Sequence, residues 1–147
     1  MSLKIEKIKT NKSKIKLRPY MEKGIIPSHP FRCILNGSSG SGKSTVLINL
    51  MTKPQFYKGY FDRIVLFAPT AEIDDSFDML DIEEDDIISN GDVDRLKDIM
   101  DEQKAFIKKK GVHKTPKVLV IFEDCQSSPK LLKHKDFLKC YIAGRHY

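Results

Sequence analysis

The chain has 147 residues, a net charge of +6, and is 40% hydrophobic and 31% charged, the makeup of one globular domain with apolar material for a single core. No apolar run is longer than Val118–Phe122, which falls far short of the roughly 20 residues a spanning helix needs, and the basic first twenty residues lack the continuous apolar stretch of a signal peptide. Three scattered cysteines without a CxxC pair (Cys33, Cys125, Cys140) exclude a disulfide framework and a zinc site, and read as reduced thiols of an intracellular compartment, with Cys33 buried beside a strand.

In chain order, residues 1–29 form a basic arm and connector, with a short strand expected at Ile15 and Leu17 and no regular helix between Pro27 and Pro30. The core is expected over 30–147. Phe31–Asn36 reads as a strand. Gly37–Gly42, with three glycines and three serines, cannot be regular structure. Lys43 to about Lys53 reads as a helix with Val46, Leu47, Leu50 and Met51 on one face, widened by Ile48. Arg63–Phe67 is a second strand, and 71–91 an acidic surface excursion with a short helical piece. Asp92–Lys110 is a helix with acids at its start, three lysines at its end and Gly111 as its stop; Val93, Leu96, Ile99, Met100, Phe106 and Ile107 supply its apolar stripe. Val118–Phe122, uniformly apolar, is a third strand expected to be buried on both faces. Ser128 and Pro129 suit the start of a last helix, Lys130–Ile142. Strand–helix alternation of this kind predicts an α/β fold with a mainly parallel sheet, the three-layer sandwich of P-loop NTPases.

Gly37-Ser38-Ser39-Gly40-Ser41-Gly42-Lys43-Ser44 matches GxxxxGK[ST] at every fixed position. A loop that wraps a triphosphate must aim several backbone N–H groups inward, which needs dihedrals and close approach that glycine permits. The helix starting at Lys43 adds its positive end. Lys43 would reach the β- and γ-phosphates of ATP, the Ser44 hydroxyl would ligate Mg²⁺, and Thr45 extends the hydroxyl pair. Glu123 and Asp124 follow the third strand, where open α/β sheets bind ligands. One acid would hold Mg²⁺, directly or through water, and the other would orient and deprotonate an attacking water. GTPase signatures are missing: no DxxG follows Asp124 and no NKxD follows the loop. With five arginines in all, the chain is poor in the groups a small-molecule phosphate kinase gathers around its second substrate. A water-attacking ATPase is the preferred reading.

Charge is segregated. Residues 1–60 hold twelve basic residues against two acids, 72–102 hold fourteen acids against two basic residues, and 104–147 hold eleven basic residues against three acids. The basic portions suit a polyanion such as DNA, and because most are lysines the contact would be independent of sequence.

Pro30–Gly37 leading into the loop, Phe61–Phe67, the acidic strand and Gly144-Arg145-His146 together resemble the poxvirus-type genome-packaging ATPases of the FtsK–HerA superfamily, from about Pro30 to Tyr147. The resemblance implies a homo-oligomeric ring motor that moves double-stranded DNA into a capsid, with a capsid protein as partner, located in the virion or the infected-cell cytoplasm and not in a membrane. It puts Lys43 and Ser44 on phosphate and Mg²⁺, Glu123 at the metal-side acid position and Asp124 at the catalytic one. It aligns Arg145 with the family's Gly-Arg-His arginine, either as an arginine finger reaching a neighbour's γ-phosphate or as a surface or DNA-facing residue. Two departures stand out: Glu123 replaces the usual Asp, and the resemblance implies a further core strand with a polar sensor residue beyond Tyr147. The alternatives to a motor are a nucleotide-binding module without catalysis, acting as an interaction subunit, and a P-loop phosphotransferase.

Overall fold

The computed structural model describes residues 17–68, 75–89, 92–125 and 128–143. The expected strand at Ile15 begins outside them, and Leu17 carries no strand. The sheet has three strands, all parallel: β1 (Arg63–Phe67) lies in the centre, flanked by β2 (Ile87–Ile88) and β3 (Val118–Phe122). Register runs from Arg63 opposite Val118 to Phe67 opposite Phe122, with Leu66 and Phe67 opposite Ile87 and Ile88. An α/β fold with a parallel sheet is therefore what this sequence forms.

Strand alternation sorts the apolar side chains into two cores. On one face, Leu66, Ala68 and Ile121 pack with Ile48 and Met51 of α2 (Lys43–Thr52), Met21 of α1 (Pro19–Glu22) and an aromatic group around Tyr57 and Tyr60. On the other, Val65 and Phe67 pack with Val93, Leu96, Ile99 and Met100 of α3 (Val93–Lys110) and Leu131 of α4 (Pro129–Leu132). Val65, Phe67, Leu96 and Leu131 are 0% exposed, and burial on that scale contributes about 2 kcal/mol per large aliphatic side chain.

Local chemistry explains several boundaries. The Asp92 side chain accepts a bond from the Asp94 N–H at 3.0 Å and caps α3, and Gly111 ends it. Arg63, the first residue of β1, donates through Nε and Nη2 to both carboxylate oxygens of Asp86 at 2.7 and 2.6 Å, and through Nη1 to Glu102 at 2.9 Å. This two-pronged bond to Asp86, ahead of the burial that opposes it, holds the guanidinium well above its ordinary pKa. It pins the segment before β2 to the central strand.

Several expectations change. Phe31–Asn36 lies outside the sheet, so β3 pairs with β1 alone among the described residues. Cys33 is consequently exposed, and Cys125 is the buried thiol. Of the β3 residues only Ile121 is buried, because the strand's far edge has no neighbouring strand. The α2 face shifts: Ile48 and Met51 are buried while Val46 is 49% exposed. In α3, Gln103 rather than Phe106 or Ile107 extends the buried stripe. The last helix breaks at Lys133–His134 into α4 and α5 (Lys135–Ala143), and Ser128 makes no side-chain cap. Two elements had no sequence signal: α1, and β2 within the acidic excursion, which otherwise forms 3₁₀ turns at Asp75–Met79 and Glu84–Asp86. No described helix is long and apolar enough to cross a membrane.

Candidate nucleotide site

The glycine-rich segment forms an irregular loop that ends on α2, whose first residue is Lys43. Gly40 and Gly42 have φ of +74° and +87°, the left-handed region that side chains avoid, and Gly42 is the N-cap of α2. At Gly37 the obstacle is space: a Cβ there would stand 2.5 Å from Ser41 Oγ. Gly40 and Gly42 need glycine for their backbone conformation, whereas a side chain at 37 would require the Ser41 hydroxyl to turn away. Its turn is closed by a bond from the Ser41 N–H to the Ser38 carbonyl at 3.2 Å, and the helix begins with Val46 N–H donating to the Gly42 carbonyl at 2.9 Å.

Lys43 Nζ donates to the carbonyls of Gly37 and Ser38 at 3.1 and 3.0 Å. The ammonium thus bends back over its own loop. Ser44 Oγ is 3.4 Å from Glu123 Oε1, a contact across 79 residues of sequence. The loop and the acidic end of β3, separate in sequence, therefore meet. Thr45 follows, exposed, and Ser39 lies with Gly37 and Gly40 on the wall of the adjoining cleft.

Glu123 continues the β1–β3 ladder through its N–H to the Phe67 carbonyl at 2.9 Å. At Asp124 the chain leaves the strand with φ of +46°, unusual outside glycine although tolerated best by Asp and Asn. The next residue reports the local field. Burial, then the charges of Asp124 and Glu123, pushes the Cys125 thiol up to about 11. The negative potential at this strand end suits a cation. No group of three His, Cys, Asp or Glu among the described residues could hold a metal by itself. Ser44 and Glu123 offer two oxygen donors, which suits Mg²⁺, an ion that usually takes few protein ligands and completes its shell with water and phosphate.

A cleft of about 910 Å³ opens beside the loop, between residues 30–37 and β3. Ile34 and Leu35, on the wall opposite β3, are 68% and 40% exposed. Arg32 closes one end: its Nη1 donates to the carbonyls of Tyr141 and Ile142, in the last turn of α5. That link spans 109 and 110 residues, so no local pattern could have announced it. Phe31 stacks on Tyr57 with centroids 5.2 Å apart. Arg145, with Gly144 and His146, lies outside the described residues.

Residues 21–147 match the sequence profile described as Poxvirus A32 protein. The chain belongs to that family. No curated protein and no solved structure matches it significantly. The match runs from within α1 to the last residue, and so takes in the loop, the acidic strand end and the Arg32 link.

Proposed function

We propose that this A32-family chain binds Mg²⁺-ATP in the loop Gly37–Ser44, hydrolyses it, and works as a ring-forming motor that packages double-stranded viral DNA into capsids. The observation that carries the proposal is the meeting of Ser44 with Glu123 at 3.4 Å, beneath a loop in which Gly40 and Gly42 adopt left-handed φ. Backbone N–H groups of 37–44 and the positive end of α2 bind the triphosphate. Lys43 exchanges two carbonyl partners for β- and γ-phosphate oxygens. Ser44 and Glu123 hold the metal, which neutralises charge on the transferring phosphoryl group. Asp124 orients a water and takes its proton as the water's oxygen bonds to the γ-phosphorus, with ADP as leaving group. Arg145 then serves a neighbouring subunit as an arginine finger. DNA is held by lysine-rich surfaces through its phosphates, so affinity falls steeply with salt and shows no sequence preference.

The test is ATP turnover with and without double-stranded DNA. The wild-type chain should hydrolyse ATP and be stimulated by DNA. Asp124→Asn should bind nucleotide as before and lose about 10²–10⁴-fold in turnover; normal turnover in that variant removes Asp124 from its role. One observation favours a second reading: Phe31–Asn36 stands outside the sheet, which suits a nucleotide-binding interaction subunit without catalysis. Nucleotide binding with no hydrolysis, even by the assembled chain on DNA, selects that reading.

A further inference from the structure

We infer that Arg32 is a positioning residue that couples nucleotide occupancy of the loop to the C-terminal turn of α5. The inference rests on the nucleotide reading above and adds a mechanical consequence to it. Four observations make a continuous chain. Lys43 Nζ is bonded to the Gly37 and Ser38 carbonyls, partners it must give up to reach a phosphate. Gly37 ends the segment that begins at Phe31, and this segment has no ladder bonds to hold it against β3. The cleft of about 910 Å³ alongside gives it room to move. Arg32, in that same segment, donates to the carbonyls of Tyr141 and Ile142.

Each link has a physical reason. The last carbonyls of a helix have no partner within the helix, and its C-terminal end carries partial negative charge, so a guanidinium there is held by both hydrogen bonds and the dipole. A strand inside a sheet would resist displacement through its ladder; an irregular segment without a ladder can transmit it. The Phe31–Tyr57 stack, with centroids 5.2 Å apart, anchors the segment at its start. The two states are therefore defined by Lys43: bonded to the loop carbonyls, or bonded to phosphate. In the second state the Gly37–Ser38 peptides settle on the ligand, the 31–36 segment tightens, and the last turn of α5 is held more firmly through Arg32.

Amide hydrogen exchange with and without Mg²⁺ and a non-hydrolysable ATP analogue tests this on the full chain. In the wild type the analogue should slow exchange in 37–46 and, by about fivefold, in 138–143, the factor that one net hydrogen bond is worth. Arg32→Ala should keep the effect at 37–46 and lose it at 138–143. Arg32→Lys, which retains a cationic donor, should recover part of it, and thermal melting followed by circular dichroism checks that both variants fold. A cap with only a structural role would raise exchange in 138–143 of Arg32→Ala to the same extent with and without nucleotide, leaving the nucleotide-dependent difference intact; that result overturns the inference. So does a wild type in which 37–46 responds and 138–143 does not. If 37–46 does not respond either, the nucleotide reading itself fails and the coupling falls with it.

Discussion

On the α3 side of β1 the chain is sealed: Val65, Phe67 and Leu96 have no exposed surface, and Arg63 ties β1 to the segment before β2 through Asp86. On the outer side of β3 it is open: the Phe31–Asn36 segment stands off the sheet, Ile34 and Leu35 face a cleft, and Val118–Val120 are half-buried despite their apolar chemistry. The difference teaches how labour is divided in this fold. The sealed half supplies the stability that fixes where β3 ends and so where Glu123 stands. The open half carries the loop that, in the proposed function, exchanges partners when a nucleotide binds, and such segments belong to the less stable parts of a protein.

Substitutions on the two sides should differ sharply in effect. The largest effect is expected at Leu96: Leu96→Ala leaves a cavity where the side chain had no exposure, and chemical denaturation should show a loss of about 4 kcal/mol. Asp86→Ala should cost about 3 kcal/mol by the same measurement, because it leaves the Arg63 guanidinium short of its two strongest bonds. Ile34→Ala, on the open wall, should change stability by no more than about 0.5 kcal/mol. A large loss there would mean that the cleft is closed in solution and would erase the contrast. The smallest effect is one of pH. Burial, then the nearby charge of Lys117, lowers the pKa of His29 below the usual histidine value, against an opposing pull from Asp62. The unfolded chain therefore takes up a proton before the folded one does. Stability from a neutral His29 is complete above about pH 6.5 and declines as pH falls from there through the lowered value. Melting temperatures of wild type and His29→Gln between pH 7.5 and 5 should converge toward the acid end; parallel curves would show that His29 has no part in it.

Much of the fold could be read in the sequence wherever one residue type had one job. Arg63–Phe67, closed by Pro69, and the apolar run Val118–Phe122 both form strands with those bounds. The α3 helix announces itself through a capping Asp92, a terminal Gly111 and apolar spacing between them. Legibility fails where long-range pairing decides. Phe31–Asn36 has strand composition, but a strand exists only where a ladder forms, and the segment stands across the cleft from the open edge of β3 without pairing to it. Ile87–Ile88 is too short for a pattern and is a strand because Leu66 and Phe67 lie beside it. His134 and Lys133 break the last helix without a glycine or proline to signal it. In the candidate site, the glycine-rich loop and the acids after β3 stand out in the sequence as a motif, and the structure brings Ser44 within 3.4 Å of Glu123. The Arg32 link does not stand out, since it depends on where α5 ends in space.

If residues 37–44 grip a triphosphate, direct titration calorimetry with Mg²⁺-ATP will show it. We expect saturable binding by the wild-type chain and affinity weaker by about a hundredfold in Lys43→Ala, as expected for loss of a charge-assisted contact, with an unchanged melting curve. Equal affinity in the two proteins, or no binding by a folded wild type, would contradict that grip.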